Sequence, residues 1–323
     1  MVHFLAGIDS FGEEGAPAVV VSSGVHGVEG FFGSAIQLAL LECLGHMKSL
    51  GNVRYVVIHS VNPFGFSRLR RFNEDNVDLN RNFLTNANDY EGEPAGYAGL
   101  NGFLNPKSPP SRFELQKLKA LWNIWRMGAQ SLKQVVAGGQ YEYPRGLFFG
   151  GDRPCKSTQL VQKNCEFWLG SSQKAVHLDF HSGLGPFASY KLLPTETTDS
   201  EYYYWNAETF GAKYIESVAE PAGKPGGTAY KVSGPFGAWM RNHFSSRDYH
   251  FVGAEFGTYN AIRVLNAIRA ENRAHHFCSD GSSILNSTKR ELLECFCPIS
   301  TSWRRQVIES GIRIIDQAAC ALR

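Results

Sequence analysis

The sequence lacks an excess of charge of either sign. It has 32 Lys and Arg against 30 Asp and Glu. So even a balance makes a nucleic-acid or anionic-membrane partner unexpected. Long apolar runs are lacking too. The longest, around Ala35 to Leu41, is broken by Gln37 and is far short of a bilayer's thickness. The opening MVHFLAGIDS has no basic leader, apolar stretch and small-residue cleavage site, so a cytoplasmic protein is expected. Paired cysteine spacings are missing. The seven cysteines are odd in number, and Cys295 and Cys297 lie too close for a zinc knuckle or redox motif. Reduced, mostly buried thiols are the expectation, and the sequon at Asn286 should be idle.

Repeats and low-complexity segments are absent as well. What is there reads as a globular chain of 323 residues, 43% hydrophobic and unusually aromatic at 13%. No linker divides it, so a single domain over 1–323 is expected, with a loop excursion at 86–110. Ala18 to Ser22 and Val53 to Val61 read as buried strands flanking a helix from Phe31 to Leu44, capped by Gly45. That order at short spacing implies a parallel, doubly wound sheet. Further strands are expected at Ala175 to Phe180 and Phe251 to Phe256. Helices are expected at Ser111 to Val136, from a Ser157 cap to Leu169, and at Ser302 to Cys320.

Four segments carry chemistry. In Ser23-Gly-Val-His26-Gly-Val-Glu29-Gly30, a histidine and a carboxylate three residues apart can converge on one ion, and the glycines allow close backbone approach. In His177-Leu-Asp-Phe-His181-Ser-Gly183, strand alternation puts His177, Asp179 and His181 on one face, at the end where open α/β sheets bind ligands. A core histidine satisfied by a carbonyl is the competing reading. Between Arg68 and Phe83, arginines beside amides suit bidentate capture of a carboxylate, against the plainer reading of a salt-bridged loop. Finally, Glu255 closes an apolar strand, where an unpaired charge is costly and a functional role is favoured.

In this order, HGVEG, NVDLNRNF, DFHSG and EFGTY resemble the zinc carboxypeptidase superfamily, which includes the succinylglutamate desuccinylase and aspartoacylase enzymes. The match runs from about Val19 to Tyr259 and looks closest to a poorly characterised bacterial branch. The resemblance implies a three-layer α/β/α sandwich around a mixed, mainly parallel sheet, and one catalytic zinc ion. Carried over by motif, His26, Glu29 and His181 would be the metal ligands, with Asp78 orienting the first histidine. Arg71 would polarise the carbonyl, Asn80 and Arg81 would hold a substrate carboxylate, and Glu255 would be the general base. Tyr230 is the candidate for the capping tyrosine. The chain before the first ligand strand is short for the family, so a missing edge strand is expected. His177 is an extra histidine beside the site. The aromatic patch Tyr202 to Trp205 has no assigned role beyond rimming the site or packing.

The activity so implied is zinc-dependent cleavage of an amide bond next to a free carboxylate, in a peptide or small molecule, with a carboxypeptidase-like peptidase leading. An N-acyl-amino-acid deacylase is the alternative. A non-catalytic binding relative is the alternative from another class, and the retained ligands and base weigh against it.

Overall fold

The computed structural model describes residues 7–47, 52–111, 129–219 and 232–323. Its described strands form one six-stranded sheet in the order β1-β3-β2-β4-β6-β5. These are β1 (Gly7–Phe11), β2 (Ala18–Ser23), β3 (Arg54–His59), β4 (Lys174–Ser182), β5 (Tyr190–Pro194) and β6 (Asp248–Phe256). The four central strands run parallel, and β1 and β5 close the edges antiparallel. The sheet is therefore mixed and mainly parallel, as the resemblance implies. β1 corrects one expectation, because residues 7–11 supply the edge strand thought to be missing.

Strand alternation sorts the side chains into two layers. Val19, Val21, Val176, Leu178, Phe180, Val252 and Phe256 face one core. It is covered by α1 (Gly30–His46) and the C-terminal helix α10 (Thr301–Leu322). Ala18, Val20, Ala175, Tyr249 and Phe251 face the other, under α5 (Lys156–Leu169) and α7 (Phe236–His243). A third cluster, built on Val28, Phe72, Tyr97, Val264 and Phe296, packs around the loops that follow the strands. Gly27–His46 is long and apolar enough to cross a membrane by composition, but more than half of it is buried inside the protein. That makes it a core helix.

Several boundaries differ from expectation for identifiable reasons. Gly45 does not cap α1; the helix continues to His46 and ends in an extended Met47. Helix α5 begins one residue before the expected Ser157 cap, with Cys155 in the N-cap position, and Asn82 Oδ1 from a distant loop accepts from Cys155 N at 2.8 Å and from Thr158 Oγ1 at 2.6 Å. The 86–110 excursion is not merely surface loop. It carries α3 (Tyr97–Leu104), whose Tyr97, Leu100 and Leu104 are buried in the third cluster. Of the helix expected over 111–136, residues 112–128 lie outside the described residues, and α4 (Ala129–Ala137) is its described end. The remaining helices are α2 (Pro63–Arg68), α6 (Glu201–Phe210), α8 (Ala261–Phe277) and α9 (Ser283–Phe296).

Candidate metal centre

The centre forms where β2 and β4 end. After β2 the chain makes a 3-10 turn, Gly27–Glu29, before entering α1. That turn is fixed by its backbone: Gly27 N donates to Arg71 O at 3.2 Å and Val28 N to Arg70 O at 2.8 Å. The approach requires glycine, since a Cβ on residue 27 would lie 2.1 Å from the Gly65 carbonyl carbon. The first and third sequence segments are thus held together by main chain.

His26, Glu29 and His181 are all buried, and one donor atom from each lies within 4.8 Å of the others. Both histidines turn Nδ1 toward Glu29, His26 at 2.9 Å from Oε1 and His181 at 3.1 Å from Oε2. Their other nitrogens each face a carboxylate: His26 Nε2 lies 3.1 Å from Asp78 Oδ1, and His181 Nε2 lies 2.6 Å from Asp179 Oδ2. Two imidazoles and a carboxylate, each ring backed by an acid, fit a divalent ion such as zinc.

The charges are mutually supporting. Burial alone would raise the Glu29 carboxyl, yet the two histidines hold it below the usual carboxylate range. Burial likewise opposes ionisation of Asp78, and Arg71, Arg81 and His26 overcome it. His181 is disfavoured by burial but held well above the ordinary histidine value by Asp179 and Glu29. Glu255 moves the other way. Burial and the neighbouring Glu29 charge push its carboxyl up to about 7, although His181 and the Leu184 N–H, which donates to its Oε1 at 2.8 Å, pull against them.

Arg71 lies against this cluster. Its Nη1 donates to Glu29 Oε1 at 3.1 Å and its Nε to Asp78 Oδ2 at 3.0 Å, while Nη2 is 2.7 Å from His26 Nε2. Arg81 has a different setting. It is fully buried, its Nε and Nη2 both donate to Ala137 O, and Nη1 donates to Asn80 O. Asn80 Oδ1 accepts from Phe236 N at 2.9 Å. In this structure the pair expected to hold a carboxylate braces the surrounding loops. Tyr230 lies outside the described residues.

Sequence reasoning missed four participants. Asp179 was placed on the right face but given no task, although its position two residues before His181 on a strand was the available signal. Ser22, whose Oγ donates to Asp179 Oδ1 at 2.6 Å, and Tyr249, whose hydroxyl lies 2.6 Å from His177 Nδ1, come from other strands and left no signal. Phe148 is the third kind of omission: its ring lies 5.4 Å from the Arg71 guanidinium and 5.7 Å from that of Arg81. It stands there with a left-handed backbone, φ 57°, that a bulky residue rarely adopts.

The fold and this cluster define an α/β/α sandwich with a buried His–Glu–His set at the carboxyl ends of its parallel strands β2 and β4. The chain belongs to the family described as "Protein of unknown function (DUF2817)", whose model matches residues 10–310. No curated protein matches it. Solved structures similar to it include carboxypeptidase A from Helicoverpa armigera, at 12% identity and TM-score 0.47, over 98% of this chain and 69% of that one. Murein-tripeptide amidase MpaA from Escherichia coli O157 is similar at 18% identity and TM-score 0.38, over 89% and 93% of the two chains. A succinylglutamate desuccinylase from Silicibacter sp. TM1040 is similar at 14% identity and TM-score 0.40, over 84% and 60%.

Proposed function

We propose that the protein is a metal-dependent hydrolase of an amide bond next to a free carboxylate, acting foremost as a carboxypeptidase-like peptidase on a small-molecule or peptide substrate in the cytoplasm. The observation that carries this reading is a buried His26–Glu29–His181 set with the Glu255 carboxyl on the neighbouring strand. Zinc, the ion the resemblance implies, would supply Lewis-acid activation of the scissile carbonyl and of the attacking water.

The chain's own residues do the remaining work. His26, Glu29 and His181 hold the ion, and Asp78 and Asp179 orient the rings. Glu255, poised near neutrality, takes the proton of the attacking water and delivers it to the leaving amine. Arg71 brings a fixed positive charge to the developing oxyanion. Asn80 and Arg81 receive the substrate carboxylate, which displaces the Ala137 oxygen from the Arg81 fork. Nε and Nη2 of Arg81 converge on the Ala137 oxygen at 3.0 and 2.6 Å, and that edge of the fork is the one that pairs a carboxylate side-on.

Metal analysis of purified protein, followed by a screen of peptides and N-acyl amino acids with and without chelator, tests the reading. One equivalent of bound ion and chelator-sensitive release of a C-terminal residue are expected. Selective turnover of N-acyl amino acids would move the assignment to a deacylase. Full activity in metal-free protein would overturn it.

A further inference from the structure

A file of polar side chains leads away from the centre along one face of the sheet. Ser22 Oγ lies 2.6 Å from Asp179 Oδ1 and 2.7 Å from His177 Nε2. The Tyr249 hydroxyl lies 2.6 Å from His177 Nδ1. Ser22, His177 and Tyr249 are fully inaccessible, and Asp179 nearly so. The register explains the file: Ser22 and Asp179 are partners across β2 and β4, and Tyr249 is diagonal to His177 on β6.

The direction of each bond follows from the donors available. A carboxylate only accepts, so the single Ser22 proton goes to Asp179. Ser22 oxygen must then accept, which requires the proton of His177 to sit on Nε2. Burial depresses His177 to about 4, so its ring carries one proton and leaves Nδ1 to accept from the Tyr249 hydroxyl. Every proton points toward Asp179. From the opposite side His181 Nε2 donates to Asp179 Oδ2 at 2.6 Å, which reserves His181 Nδ1 for a ligand. Four buried polar side chains on one sheet face are costly unless fully paired, and here each is paired in one direction.

We propose that Ser22, His177 and Tyr249 are positioning residues that act through Asp179, locking His181 in the orientation and tautomer that present Nδ1 to a divalent metal. This rests on the metal-site reading above. It assigns His177 neither a ligand's nor a base's role.

The test is metal affinity and not turnover. Zn2+ is titrated against a chromogenic chelator, and Co2+ uptake is followed by its visible spectrum. The proteins compared are wild type, Ser22→Ala, Tyr249→Phe and the double variant, with Val161→Ala as a core truncation outside the file. Ser22→Ala and Tyr249→Phe should each weaken Zn2+ binding by roughly tenfold or more and alter the Co2+ spectrum. The double variant should bind no more weakly than Ser22→Ala alone, because Tyr249 reaches the metal only through Ser22. Val161→Ala should lower Tm and leave affinity unchanged. Unchanged affinity in both single variants, or additive losses in the double, would overturn the proposal. Wild-type protein that takes up neither ion would instead overturn the metal-site reading, and the proposal with it.

Discussion

His181 and Glu255 are register partners at the carboxyl ends of adjacent parallel strands. On neighbouring strands such partners point to the same face, so an imidazole and a carboxylic acid are delivered side by side by the backbone alone. The same face carries Ser22, His177 and Asp179 further back along the sheet. His181 and Glu255 are thus placed by strand pairing, whereas His26 and Glu29 are placed by the turn that follows β2.

Glu255→Gln should keep metal binding and lose turnover. The amide still accepts from Leu184 N, but it cannot take a proton from water. A loss of about two to four orders of magnitude in kcat is expected, with metal stoichiometry unchanged by elemental analysis. A variant retaining a tenth of wild-type kcat would remove Glu255 from the base role.

The raised Glu255 carboxyl has a consequence for metal-free protein. Its folded value of about 7 lies above the ordinary 4.5, so between those values the folded state holds a proton that the unfolded state has released. That contribution is fully present below 4.5 and is lost as pH rises through 7. Glu29, Asp78 and Asp179 act oppositely, being held low, and their contribution is lost only in acid. Metal-free Glu255→Gln should therefore match wild type in Tm at pH 4.5 and exceed it by about 2–4 °C at pH 8. An equal Tm difference at both pH values would contradict the environment described for Glu255.

His26→Ala should abolish metal binding and leave a folded protein. The three apolar clusters draw on strands and helices throughout the chain, and Asp78 keeps Arg71 as an ion-pair partner at 3.0 Å. A cooperative thermal transition, lowered by a few degrees, is expected from scanning calorimetry. Loss of the transition would mean that the centre is structural, as in a zinc finger.

Gly27→Ala tests the main-chain clamp. The added methyl would fall 2.1–2.3 Å from the Gly65–Phe66 backbone, which has no flexible end to move aside. The 3-10 turn must lift off, at a cost of about 1–3 kcal/mol, carrying His26 and Glu29 with it. Weaker Zn2+ affinity together with a lower Tm is expected, and an unperturbed affinity would show that the turn's position does not set the ligands.

Much of this was legible in sequence because strand burial and ligand spacing are local signals. The apolar runs at Ala18 and Phe251 read as strands whatever packs on them, and His26, Glu29 and His181 stand in segments whose residue types fit an ion. Asp179 was half legible, since alternation gives its face and not its partner. Ser22 and Tyr249 were not legible, because their roles exist only once β2, β4 and β6 are set in register. The buried helix at Tyr97–Leu104 was hidden by the Gly, Pro and Asn around it, and its three core residues outweigh that composition. The edge strand β1 was hidden for a different reason: five residues are too few to show a period.

Arg81→Lys separates a clamp from a brace. Lysine keeps the charge but offers one ammonium point in place of the two donors, Nε and Nη2, that now meet on Ala137 O. If those donors exchange the carbonyl for a substrate carboxylate, the variant should raise KM at least tenfold for a substrate with a free carboxylate. An amidated analogue, which never carried the charge, should be affected much less. If the guanidinium serves only to hold Ala137, Asn80 and the Phe148 ring in place, both substrates should suffer alike and Tm should fall. The measurement is KM and kcat for both substrates on both proteins, with Tm alongside. Because the lost bonds to Ala137 O and Asn80 O lower Tm in either case, the deciding quantity is KM: a rise confined to the carboxylate substrate is the expected outcome, and equal losses on both substrates would end the carboxylate assignment for Arg81.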